Sequence, residues 1–176
     1  MIIIHQTFNT EDGEMLSKIY EGLSNIILLK DTSRAVIEET LKSFPNENAM
    51  LLGHGSRDGL FGKGGSYVID GHNENLLQGR HVIGIWCYAA EFADKNWLHG
   101  FFTSMFISNL QEALMNSFFN NDSSEICEHL EKFCISINKL IKDKTPLREW
   151  VSILQSNADI SIPFVRFNYE ALTYFE

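Results

Sequence analysis

The sequence predicts an α/β fold: a three-layer α-β-α sandwich built on a mostly parallel sheet. Three observations predict it. Short apolar runs of strand length recur through the first hundred residues, as MIIIHQT, NIILLKD, AMLLGHGS and HVIGIWC. Uninterrupted apolar runs of this kind suit strands buried on both faces. Between most of them lie segments with helical spacing or short turns, and strand-helix alternation with short connections places successive strands parallel, with helices on both faces. Finally, 176 residues with 44% apolar and 21% charged side chains have the size and balance of one domain spanning 1–176.

In chain order, MIIIHQT is the first strand. Asn9 or Thr10 can cap a helix whose first turn holds Glu11, Asp12 and Glu14, acids that favour the positive end of the helix dipole. Met15, Ile19 and Leu23 then mark one apolar face. NIILLKD reads as a second strand. A helix follows, capped by Thr32 or Ser33, with Val36, Ile37, Leu41 and Phe44 as its apolar face and Pro45 as its stop. AMLLGHGS is the third strand. Arg57 to Gly71, rich in glycine and without helical period, reads as a loop with a short hairpin at GSYVIDG. GHNENLLQGR offers a turn or two of helix before the fourth strand, HVIGIWC. YAAEFADKNWLHG is less regular. GFFTSMFISN reads as a fifth strand running straight into the helix LQEALMNSFF. A long helix follows the polar break at FNNDSS, with Ile126, Leu130, Phe133, Ile137, Leu140 and Ile141 on one stripe. The tail predicts a short helix around Leu147–Leu154 and a final strand around Phe164–Phe175.

Composition narrows the function classes. The formal charge of −9, with no run of Lys or Arg, disfavours nucleic acid and anionic membrane as partners, because phosphate contacts need clustered cations. The N-terminus lacks the basic segment and small-residue cleavage site of a signal peptide, and no apolar run reaches the ~20 residues that span a bilayer. The cysteines are Cys87, Cys127 and Cys134, an odd number that does not describe a disulfide framework. A reducing, cytoplasmic setting is expected. Cys127 and Cys134, seven apart beside the long helix's stripe, read as core thiols. His72, His81, His99 and His129 show no metal-ligand spacing and His5 reads as structural, so neither a metal site nor a cofactor is expected. GLFGKGG is not a phosphate loop, since it lacks the GxxxxGK[ST] pattern.

The chemistry concentrates between Ala49 and Ala90. Ligands of parallel α/β sheets bind beyond the carboxyl ends of the strands. His54 and Cys87 fall there, at the ends of two strands expected to be neighbours. A thiol attacks as thiolate, and a nearby imidazole stabilises that thiolate or protonates the leaving amine. Gly55 permits close backbone approach, so the amides of Gly55 and Cys87 are candidate oxyanion donors. Asp58, Glu91 and Asp94 lie near the expected cleft in sequence and are candidates to recognise a basic group, although solvated loop acids are the plainer reading.

LLGHGSRDGLFG followed by HVIGIWCYAA resembles the caspase-haemoglobinase group of cysteine peptidases, which includes caspases, metacaspases, legumains, gingipains, separases and CHAT-domain proteases. Members carry an apolar strand ending in His-Gly, then an apolar strand ending in Cys followed by small residues; the matching residues here are His54, Gly55, Cys87, Ala89 and Ala90. The resemblance covers the order of elements over about residues 1–120. It implies a caspase-like fold and a cysteine endopeptidase that uses a His-Cys dyad through an acyl-enzyme on a protein or peptide substrate. It places Ser108, in the FFTSMFISN segment, along the substrate channel. It also puts Ile85 and Trp86 beside the pocket for the P1 side chain. There the chain departs from many relatives, which carry Gln, Asp or Glu where Ile85 stands; neither a basic nor an acidic P1 preference carries over.

Two other readings compete. One is an inactive caspase-like module with a regulatory protein partner or a homodimer. The other is a flavodoxin-like receiver or small-molecule binder, which would need an acidic cluster where the first strand ends in HQT.

Overall fold

Alternation along the strands divides the interior into two cores. In β1 (Ile2–His5), Ile3 faces one core while Ile2 and Ile4 face the other. In β3 (Ala49–Leu52), Met50 and Leu52 join Ile3, and Ala49 and Leu51 point the opposite way. In β7 (His81–Ile85), Ile83 and Ile85 lie on the Ile3 side and Val82 on the other. Phe101 and Phe102 of β8 (His99–Thr103) split in the same manner. Successive side chains of a strand point to opposite faces, so a sheet apolar on every residue must be covered twice.

The computed structural model describes residues 1–176. Its main sheet has six strands in the order β2-β1-β3-β7-β8-β9, where β2 is Ile27–Lys30 and β9 is Leu172–Phe175. All neighbours are parallel except β9, which runs antiparallel to β8. On the Ile3 face lie the long helix α5 (Ser123–Lys142), with α6 (Leu147–Asn157) and α7 (Pro163–Glu170). The other face is covered by α2 (Arg34–Ser43), α3 (Ala89–Lys95) and a small antiparallel sheet of β4 (Gly55–Ser56), β5 (Gly59–Phe61) and β6 (Tyr67–Asp70). The predicted α/β class with a mostly parallel sheet stands, with helices on both faces.

Local chemistry explains the individual elements. Thr10 caps α1 (Glu11–Met15) by accepting from the Gly13 N–H, and the chain continues as a 3-10 turn through Ile19. Asp122 caps α5 by accepting from the Glu125 N–H. The expected stripe on α5 is buried at Ile126, Leu130, Phe133, Ile137 and Leu140, and Cys134 lies with it. Cys127 stands at the margin instead, part-exposed with its thiol 3.8 Å from the Glu11 carboxylate, so it is not a core thiol.

Several segments differ from the sequence expectation. Residues 164–170, expected in a strand, form most of α7; Pro163 occupies its first turn, where the missing N–H costs nothing, and Phe164, Val165, Asn168 and Tyr169 line one helical face. Only Leu172–Phe175 is strand. The Arg57–Gly71 loop is most of the small sheet, whose strands are too short to show alternation. The irregular stretch after Cys87 is α3. In α2, Ile37 and Leu41 are buried, but Val36 is exposed, and so is Phe44, which has already left helical geometry. The fifth strand stops at Thr103, and a loop over 104–109 precedes α4 (Leu110–Met115). No helix is long and apolar enough to cross a membrane.

Candidate active site

Parallel pairing of β3 with β7 aligns Leu52 with Ile85. His54 and Cys87 each lie two residues beyond that pair, so the sheet delivers them side by side past its carboxyl edge. The hydrogen bond from the Gly53 N–H to the Ile85 carbonyl, 3.2 Å, extends the pairing one step toward them. Both line one narrow crevice of about 20 Å³, together with Asp12, Gly13, Gly53, Ser108 and an apolar floor that includes Ile85, Phe106 and Leu130.

Cys87 sits on a sharp strand-to-helix turn. Tyr88 takes a left-handed φ of 70° and α3 starts at Ala89. The Tyr88 N–H bonds to the Ser104 carbonyl at 3.0 Å, but no protein acceptor takes the Cys87 N–H. The thiol donates toward the Phe106 carbonyl at 3.4 Å and toward Glu112 Oε1 at 3.5 Å. Burial, then the neighbouring Glu112 carboxylate, pushes its pKa up to about 12. At neutral pH Cys87 is a thiol, and the more superficial Cys127 is the easier target for an alkylating reagent.

His54 stands between two carboxylates. Its Nε2 is 3.4 Å from Asp12 Oδ2 and its Nδ1 is 3.9 Å from Glu112 Oε1, while the Phe8 ring meets it edge-on at 5.6 Å. Asp12 reaches this position through a chain of local contacts. His5 is fully buried; its Nδ1 pairs with the Tyr20 hydroxyl at 2.9 Å, and its Nε2 contacts the Gly13 carbonyl at 2.8 Å, which fixes the first turn of α1. Phe8 and Asn9, both at positive φ, fold the chain back from β1 over the strand ends. Burial would push the Asp12 carboxyl up, but hydrogen bonds from Asn109, Thr10 and Ser108 and the charge on His54 outweigh it and hold the group below its usual range.

A polar lattice closes the far wall. Asp12 Oδ2 accepts from Ser108 Oγ at 2.8 Å and from Asn109 Nδ2 at 2.9 Å. Glu112 Oε2 accepts from the Ser108 N–H at 2.8 Å and lies 2.9 Å from Ser108 Oγ. That hydroxyl has one proton for two carboxylates, so it serves them one at a time. Asn109 also caps α4 by accepting from the Glu112 N–H at 3.0 Å.

Of the residues the sequence singled out, His54, Cys87, Ile85, Trp86 and Ser108 line the cleft. Ile85 and Trp86 are buried, and Trp86 is a packing residue whose Nε1 donates to the Ser56 carbonyl at 3.1 Å and whose ring meets Phe92. Two candidates fall outside. Gly55 is not among the lining residues; it is glycine because a Cβ there would lie 2.2 Å from Trp86 Cδ1 and 2.5 Å from the Gly59 carbonyl oxygen. Asp58 sits on the β4–β5 turn, 60% exposed, and pairs with Lys95 at 3.4 Å. Glu91 accepts from Ser104 Oγ, and Asp94 lies at a separate surface hollow with Trp97 and His99. Sequence reasoning missed Asp12, Asn109 and Glu112. An acid in a first helical turn and an acid on a helix of six residues carry no mark of being brought together across 100 residues.

No protein-family model matches this chain, and no curated protein matches it significantly.

Proposed function

We propose that the chain is a cysteine endopeptidase of the caspase-haemoglobinase type, with Cys87 as nucleophile and His54 as its acid-base partner. What carries the reading is the placement of a thiol and an imidazole at the carboxyl ends of paired parallel strands, in one cleft, beside a backbone N–H that no protein acceptor claims. In the reaction His54 takes the thiol proton, Cys87 Sγ attacks the scissile carbonyl carbon, and the developing oxyanion is received by the Cys87 N–H. The tetrahedral adduct collapses, His54 returns the proton to the departing amine, and water hydrolyses the thioester to regenerate the thiol. Asp12, against the other ring nitrogen, favours the imidazolium that forms in between. The order of the strands that carry His54 and Cys87, with helices on both faces, supports the caspase-like assignment. Buried Ile85 and the apolar floor supply no fixed charge for a P1 side chain.

The test is cleavage of a peptide library by the native chain and by a protein with Glu112 replaced by Gln. Cleavage should disappear in Cys87→Ala and fall at least about 100-fold in His54→Ala, as expected for a general acid-base partner. Cleavage that survives Cys87→Ala, or its absence from both starting proteins, refutes the reading.

A second reading, an inactive caspase-like module, is favoured by one observation: the thiol is held protonated next to a carboxylate. The same library separates the two.

A further inference from the structure

Glu112 has no counterpart in the chemistry just described, yet one of its oxygens touches both reacting groups: Oε1 is 3.5 Å from Cys87 Sγ and 3.9 Å from His54 Nδ1. We propose that Glu112 is an autoinhibitory gate, carried by the segment Ser108–Met115, whose carboxylate engages both Cys87 and His54 and keeps them from acting on each other until that segment moves. The proposal rests on the reading of Cys87 and His54 as a reactive pair.

Two effects of the carboxylate act in the same direction. It repels a thiolate at Cys87, and it attracts an imidazolium at His54 away from that thiolate. The titratable groups facing Cys87 are Asp12 from α1, His54 from the end of β3 and Glu112 from α4. Asp12 approaches His54 from its other nitrogen and therefore does not interpose. Oε1 contacts only a weak S–H donor and the imidazole, whereas Oε2 is anchored by Ser108. The reach of Glu112 toward Cys87 and His54 is thus set by the Ser108–Asn109 corner.

That corner is latched from one side. Asn109 Nδ2 donates to Asp12 Oδ2, and Ser108 Oγ lies 2.8 Å from the same oxygen, sharing its one proton between Asp12 and Glu112. The residue before it is pinned: the Ile107 N–H donates to Asn168 Oδ1 at 2.7 Å and its carbonyl accepts from Asn168 Nδ2 at 2.8 Å. The point of bending therefore lies between Ile107 and Ser108. Beyond it, α4 has six residues of which only Ala113 is buried, while Leu110, Leu114 and Met115 are exposed. A helix this short, with one buried side chain, is held by its hydrogen bonds more than by packing and is cheap to displace.

The experiment measures the rate at which iodoacetamide alkylates Cys87 at pH 7.5, resolved by peptide mass spectrometry and normalised to Cys127 in the same molecule. Glu112→Gln removes the charge and keeps the shape. Losing a charge at this distance multiplies the thiolate fraction by about 10 to 100, and the accompanying loss of nucleophilicity leaves a net gain of about 3- to 12-fold. Asn109→Asp keeps the cap on α4 but replaces the donor to Asp12 with a repelling oxygen; it should also accelerate Cys87, with Glu112 intact. Unchanged or slower alkylation of Cys87 in both variants overturns the gate. Faster alkylation in Glu112→Gln without any peptide cleavage upholds the gate and sinks the peptidase reading. Cleavage by the native chain as fast as by Glu112→Gln upholds the peptidase and sinks the gate.

Discussion

Replacing Gly53 by Ala tests how His54 is brought to the cleft. Gly53 closes β3 with a φ of 144°, and a Cβ there would lie 2.6 Å from the Gln6 carbonyl oxygen and 3.3 Å from Gln6 Cβ. The oxygen is backbone at the end of β1, tied to β3 by the Gln6 N–H to Leu52 carbonyl bond of 2.9 Å, so it cannot swing aside as a side chain would. Two costs combine: about 1–2 kcal/mol for placing an L-residue at positive φ and about 1–3 kcal/mol for overpacking, roughly 2–5 kcal/mol in all. With a urea m-value of about 2.5 kcal/mol/M the unfolding midpoint should fall by about 1–2 M. Gly79→Ala is the control, since its φ is 75° but nothing lies within 4 Å of the added Cβ; only the roughly 1–2 kcal/mol of backbone strain applies. Equal midpoints for the two variants would refute the close approach of β3 to Gln6 and with it the account of how His54 is placed.

Asn168→Ala should cost about 2–4 kcal/mol, because it strands both the N–H and the carbonyl of buried Ile107, and a urea titration reads this directly. A loss under 1 kcal/mol would mean that the loop bearing Ser108 is held in some other way. Burial pushes the thiols of Cys87 and Cys134 and the phenol of Tyr169 each up to about 12, so the fold favours their neutral forms. That stabilisation is complete below the unfolded values of about 8.5 for Cys and about 10 for Tyr and is lost as pH rises toward 12. Urea midpoints should therefore decline from pH 9 to 11, less steeply in Cys134→Ala; a flat profile contradicts the burial of these groups.

The strands were legible because a sheet covered on both faces must be apolar at nearly every position, and IIIH, AMLL and HVIGI satisfy that without ambiguity. The same regularity exposed His54 and Cys87, each the first reactive residue after such a run. Elements with a single buried face were harder. α7 looked like a strand because its rings and β-branched residues fit either period over so few residues, and β4 to β6 are too short to declare one.

By itself the sequence determined the buried strands β1, β3 and β7, the long helix α5 and the placing of a His and a Cys just beyond neighbouring strands, because each follows from periodicity within a continuous stretch. Only the tertiary structure decided what surrounds that pair. Asp12 arrives from the turn after β1 and Glu112 from the helix after β8, and hydrogen bonds through Ser108 and Asn109 join them above the thiol. Burial first and these charges after it hold the thiol protonated, and groups that meet across the ends of four strands leave no periodic trace in the chain that carries them.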